Sequence, residues 1–82
     1  YSILYHKDAV ADLDKLGRDV QRRIVKSIDH RLSRAPEVYG KPLRFSLKGL
    51  WALRVGDYRV VYALRGEGLL VLRIGHRKEV YE

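Results

Sequence analysis

Cysteine and methionine are both absent from the 82 residues. Without cysteine the chain can form neither a disulfide nor a thiolate-bound metal centre, a composition that agrees with a reducing cytoplasm, the location expected here. Methionine is missing even at position 1, so an initiator and a few residues upstream of Tyr1 are expected to lie outside this chain. No apolar run approaches the roughly 20 residues that span a membrane, and no segment has the layout of a signal peptide, so no membrane partner is expected. Acidic residues are scarce. Ten Asp and Glu face 17 Lys and Arg, giving a formal charge of +7 and a pI near 10.0. Such a field attracts nucleic acid, acidic protein or an anionic membrane surface. At this length residues 1–82 are expected to form one domain, in which folding buries about 60% of the unfolded surface.

The stretch LRVGDYRVVYAL, residues 53–64, reads as a β-hairpin closed by Gly56-Asp57, with glycine first as a type II′ turn requires. A two-residue closure sets the register: Val55 faces Tyr58, Arg54 faces Arg59, Leu53 faces Val60 and Ala52 faces Val61. Alternation then puts Arg54 and Arg59 on one face and Trp51, Leu53, Val60 and Tyr62 on the other. Like charges about 5 Å apart repel by roughly 1 kcal/mol in water and roughly 3 at an effective dielectric near 20. Splaying of the long side chains lowers that cost, and an anion bound between them would offset it.

Upstream, YSILYH alternates as a first strand through Ile3 and Tyr5. Val10, Leu13 and Leu16 predict one helical face, stopped at Gly17. Asp19 is placed to cap a second helix whose Val20, Ile24, Ile28 and Leu32 repeat every four residues until Pro36. Arg22, Arg23, Lys26, Arg31 and Arg34 fall on the outer faces. Residues 36–49, which hold both prolines, read as an ordered connection. Three strands joined by short turns follow and must be antiparallel. The fold class is therefore α+β: an N-terminal strand, two helices, then an antiparallel meander of three strands, with the helices on one sheet face. In the last strand a turn at Arg65–Gly68 would send Arg73 toward the core. A bulge at one of the glycines would instead bury Leu70, Leu72 and Ile74 and turn Arg73, Gly75 and Arg77 to the open face.

Several signals carry no chemistry. Asp8 and Asp12 stand i,i+4 without a further ligand and read as a solvated helix face. His6, His30 and His76 match no zinc spacing, so neither a metal nor another cofactor is expected. Gly66 and Gly68 precede no helix and form a turn. The end of the chain, IGHRKEVYE, is different: His76, Arg77, Lys78 and Tyr81 crowd into six residues. Beside the arginine face they assemble phosphate forks, a stacking ring and a proton carrier. Those are the groups needed to hold single-stranded RNA and strain one phosphodiester.

Two motifs in order, L-R-V-G-x-Y-R at Leu53–Arg59 and G-H-R-x-x-V-Y at Gly75–Tyr81, give the chain a resemblance to the RelE branch of the RelE/ParE toxin superfamily. The order of elements agrees over nearly the whole length. The resemblance implies a RelE-like fold and the toxin of a type II toxin–antitoxin pair. It also implies a metal-independent, ribosome-dependent messenger-RNA endoribonuclease, in which the 2′-hydroxyl attacks the adjacent phosphate, and a cognate antitoxin as hetero-oligomeric partner. By position, Arg59 matches the arginine on the scissile phosphate and Arg77 the one that stabilises the transition state. Tyr81 matches the tyrosine that stacks on and orients the substrate, with Arg54 a basic neighbour. Arg73, His76, Lys78, Lys48 and Arg44 are further candidates for RNA contact. Active relatives place two lysines where this chain has Leu50 and Ala52. His76 is the candidate substitute acid or base, although alternation puts it on the core side. Two other readings stay open: a gyrase-targeting ParE-like toxin, and a non-enzymatic module that binds RNA or antitoxin.

Overall fold

The computed structural model describes residues 1–43 and 49–76. In chain order the elements are β1 (Ser2–Tyr5), α1 (Lys7–Asp14), α2 (Arg18–Ser27) continued by a π-helical turn over Ile28–Leu32, α3 (Pro36–Tyr39), β2 (Lys41–Pro42), β3 (Leu50–Val55), β4 (Tyr58–Arg65) and β5 (Gly68–His76). One mixed sheet has the order β1-β5-β4-β3-β2. The meander β3–β4–β5 is antiparallel as expected, while β1 pairs with β5 in parallel, Ser2 beside Gly68 and Tyr5 beside Val71.

The helices cover one face of this sheet. Ala9 of α1 and Ile24, Ile28 and Leu32 of the second helix are fully buried against Leu53, Val60, Tyr62, Leu69, Val71 and Ile74. A strict four-residue repeat overshoots the 3.6-residue turn by about 40° at each step. The wider i→i+5 winding after Ser27 takes up that drift and returns Leu32 to the core. On α1 the buried residue is Ala9, with Leu13 and, just past the helix, Leu16 packed partly buried against the core, while the expected Val10 is 45% exposed. Gly17 is the N-cap of α2 rather than the stop of α1, and Asp19 lies in the first turn of α2 rather than at its cap. Gln21 ties the end of α1 to the turn that follows it: its Nε2 donates to Leu13 O at 2.6 Å and to Leu16 O, beyond the helix, at 2.9 Å.

The segment that read as a connection contains α3 and β2. Pro36 sits in the first turn of α3, where its missing N–H costs nothing, so it opens a helix instead of closing one. Lys41 pairs with Ala52 and Pro42 with Trp51, adding a two-residue edge strand. Tyr62, fully buried, donates its hydroxyl to Pro36 O at 2.6 Å. Burial, reinforced by the Glu37 charge, pushes that phenol up to about 12, so it remains a donor throughout the physiological range.

The bulge in β5 exists, but not at a glycine. Leu64 pairs with Leu69 as the simple turn dictates, and the register then shifts between Val61/Tyr62 and their partners Arg73/Val71. Leu72 is the extra residue. Leu69, Val71 and Ile74 are consequently the buried side chains of this strand, in place of the expected Leu70, Leu72 and Ile74, while Arg73 still reaches the open face.

Candidate functional site

The β3–β4 turn closes as its sequence requires. Gly56 has φ +60°, whereas no residue other than glycine among those described has positive φ, which matches a type II′ turn and excludes type I′ at Asp57. Arg54 and Arg59 are therefore direct cross-strand neighbours on the face that the helices leave open. Gly75 stands across from Arg59 on its other side and contributes no side chain. Arg54 is exposed, its Nε making a long 3.5 Å contact to Gly56 O. Arg59 is half-buried, its Nε shielded from solvent.

Beside this pair lies a hollow of about 190 Å³ lined by Tyr39, Lys41, Ala52, Arg54 and Arg59. Among the described residues that line it, three are cations, Lys41, Arg54 and Arg59, and none is acidic. Ala52, one of the two positions where active relatives place a lysine, is short, and its register partner Lys41 stands next to it on the same face. Tyr39 is 52% exposed, with the Arg31 guanidinium 5.8 Å from the centre of its ring. Reading the residues in order did not find Tyr39 or Lys41. Their one signal was a ring and a cation two residues apart, within a stretch too short to show strand alternation.

The other candidates fall elsewhere. Arg73 shares the open face but is drawn to α1: its Nε donates to Asp12 Oδ2 at 2.8 Å and its Nη2 to Oδ1 at 3.2 Å. The Ile74 N–H donates to the same Oδ2 at 2.9 Å. The ladder with β1 ends at Val71, whose carbonyl accepts from His6 N at 2.8 Å. Asp12 supplies an acceptor on the uncovered edge beyond. Its side chain is only 11% exposed, which corrects the solvated-face reading for Asp12, whereas the Asp8 side chain is 57% exposed and keeps it. His76 lies on the core side opposite Tyr58, the two rings edge to face with centres 5.9 Å apart. That placement agrees with its alternation and sets it across the sheet from the hollow. Arg44, Lys48, Arg77, Lys78 and Tyr81 lie outside the described residues.

Burial pushes the Asp12 carboxyl up, but the Arg73 and Ile74 hydrogen bonds and the neighbouring positive charges outweigh it and hold the group below its ordinary 3.8. A carboxylate depressed in the folded state stabilises above its unfolded value, and that stabilisation is lost as pH falls through the folded one. Chemical denaturation of Asp12→Asn at a series of pH values should therefore show a shallower loss of stability below about pH 4 than the wild type. Asp12→Ala should cost about 1–3 kcal/mol at neutral pH, because the Ile74 amide is orphaned. The exposed Arg73 arm adds less than about 1 kcal/mol of that. Equal acid limbs for wild type and Asp12→Asn would show that Asp12 does not contribute to them.

Residues 3–81 match the sequence profile of the ParE toxin of type II toxin–antitoxin system, parDE. The chain belongs to this family, within the RelE/ParE toxin superfamily. It is 35% identical to the toxin RelG of Mycobacterium tuberculosis over 99% of this chain and 95% of that protein. It is also 39% identical to the toxin RelE of the same organism over 78% of this chain and 66% of that one. Among solved structures it superposes on a chain of the RelBE2 toxin–antitoxin complex of M. tuberculosis with a TM-score of 0.86 at 35% identity, covering 94% of this chain and 98% of the other. The isolated Escherichia coli RelE toxin matches with a TM-score of 0.73 at 27% identity, over 99% and 90% of the two chains. The α+β architecture, with helices on one face of a five-stranded mixed sheet, is that of RelE toxins.

Proposed function

We propose that this toxin is an endoribonuclease that cuts messenger RNA on the ribosome in the cytoplasm, and that a cognate antitoxin protein restrains it. The observation that carries the reading is the hollow bordered by the opposed Arg54 and Arg59, with Lys41 on the same wall. A phosphodiester is an anion with two nonbridging oxygens, one for each of two guanidinium forks that stand side by side. When the 2′-oxygen attacks phosphorus, negative charge grows on those oxygens. Donors already fixed in place then stabilise the transition state more than the ground state. The 2′-oxygen–phosphorus bond forms, the bond to the 5′-oxygen breaks, and a 2′,3′-cyclic phosphate and a 5′-hydroxyl result. One proton leaves the 2′-hydroxyl and one is delivered to the 5′-oxygen. In this reading Arg77 adds a further guanidinium and Tyr81 stacks on the substrate, as the resemblance implies.

The antitoxin partner is supported by relatives solved as toxin–antitoxin complexes. It is also supported by the division of the open sheet face, where Leu4, at 67% exposure, with Ala63 and Leu70 forms an apolar end beside the cationic one. An amphipathic or acidic segment fits a surface of that kind.

The test is cleavage of a short messenger RNA by purified protein, with and without programmed ribosomes, beside Arg77→Ala. Cuts that require the ribosome and vanish in the variant are the expected result. Folded protein that makes no cuts overturns the reading and favours a ParE-like topoisomerase poison or a binding module, to which the lysine-free positions Leu50 and Ala52 already lend weight.

A further inference from the structure

We propose that β2 is the second wall of the phosphate site, with Lys41 a third phosphate-contacting cation and Tyr39 the ring on which a neighbouring base stacks. The inference rests on the RNA reading above and extends it to two residues that neither hairpin nor chain end supplies.

Register puts Lys41 there. Its pairing with Ala52 sets it on the face of Arg54, two positions further along β3, and it lines the same hollow as Arg54 and Arg59. Ala52 offers only a methyl group at this point and is 8% exposed, and on the β2 side of it the Lys41 ammonium supplies a charge. A compact ammonium on a four-carbon stem acts as a mobile point charge beside two planar forks, which suits the oxygens the forks do not face. Tyr39 precedes Lys41 by two residues and lines the same hollow, half-exposed although aromatic. Arg31 occupies one side of its surroundings at cation–π distance. A single strand threaded past the arginines carries a base next to each phosphate, and an exposed ring beside the cations is where such a base can stack.

The wall is anchored rather than loose. Gly40, between the two residues, is buried beneath the Tyr62 hydroxyl, and its N–H donates to Pro36 O at 3.1 Å. On the far side Leu43 N donates to Leu50 O at 2.8 Å. Tyr39 and Lys41 are thus held at both ends by contacts to α3, β4 and β3.

A lysine on an edge strand can also serve only to discourage pairing between copies of the sheet, and the experiment separates the two roles. Fluorescence anisotropy would follow a labelled single-stranded RNA of 2′-O-methyl nucleotides, which this chemistry cannot cut, bound by the full chain across a range of salt concentrations. Lys41→Ala should reduce the slope of log affinity against log salt by about 0.7, the loss of one phosphate contact on a single strand, and Lys41→Arg should restore it. Tyr39→Ala should weaken binding about 5- to 150-fold at fixed salt while Tyr39→Phe retains it. Lys26→Ala, on the outer face of α2, is the control and should leave the slope in place.

An unchanged slope in Lys41→Ala, an equal loss in Lys26→Ala, or no RNA binding by the wild type overturns the proposal. So does a change confined to self-association of Lys41→Ala in sedimentation. Lys41-dependent binding without any ribosomal cleavage removes the nuclease reading and keeps this contact. Cleavage indifferent to both residues does the reverse.

Discussion

Arg59→Ala should lower the rate of ribosome-dependent cleavage by about 10²- to 10³-fold, the typical cost of removing one preorganised donor from a developing oxyanion. The variant should nevertheless stay folded. Arg59 faces Arg54 across the strand pair and Gly75 on its other side; it is half-buried, so truncation sacrifices some packing of its stem and none of the apolar core. Arg54→Gln isolates the electrostatic part, because Arg54 is exposed and has little packing to lose. It should match or exceed the wild type in stability, by up to about 1 kcal/mol in low salt, with the difference fading as salt screens the pair. Cleavage should fall in the same variant. Thermal melts and single-turnover cleavage on the same preparations check both. Activity that tracks stability in these variants, falling only where the fold weakens, would remove the assignment of the pair to phosphate.

Gly40→Ala should be the most damaging small substitution in the chain, at about 3 kcal/mol or more. A Cβ at this position would lie 1.7 Å from the Tyr62 hydroxyl, 2.8 Å from its ring carbon and 3.0 Å from Pro36 O. None of these is the end of a flexible side chain with somewhere to go: Tyr62 is fully buried and stacks at 6.5 Å on Trp51. Relief therefore requires breaking the 2.6 Å hydrogen bond to Pro36, displacing β2, or both, which adds overpacking to the loss of a buried polar contact. Tyr62→Phe alone should cost only about 1 kcal/mol, because Pro36 O keeps its bond from Gly40 N. The double variant should recover part of the loss, since the hydroxyl clash is gone while the ring contact remains. A coupling energy near zero in that cycle, measured by urea denaturation, would show that the clash is not the cause.

The parts of the fold visible in the residues were the local ones. A two-residue turn leaves one register, so Arg54, Arg59, Leu53 and Val60 could be placed by counting. The four-residue repeat of Val20, Ile24, Ile28 and Leu32 marked the second helix, although not the π turn that keeps it on the sheet. What escaped depends on distant partners. The bulge at Leu72 is decided where β5 meets Asp12 on α1, 61 residues away from Arg73 in sequence, and alternation within β5 alone could only show that a shift was needed. The four residues of α3 and the two of β2 are too few to display any period, so Tyr39 and Lys41 looked like loop. Asp12 was misjudged for the same reason: a carboxylate on a helix looks solvated until the edge it covers is known.

The parallel pairing of β1 with β5 also bears on how the protein is made. Residues 2–5 are synthesised long before their partners 68–71, whereas β3, β4 and β5 can pair with neighbours as soon as each is available. Closing the long loop is entropically costly and is compensated only when both ends exist. The arginine hairpin can therefore form early, but the edge of the sheet, with the seat that Leu69 and Val71 provide for the helices, must wait for the final strand. A nascent chain halted before β5 would carry a cationic hairpin and two amphipathic helices with no core to cover. Such a species invites capture by chaperones or proteases before it has any toxicity to restrain.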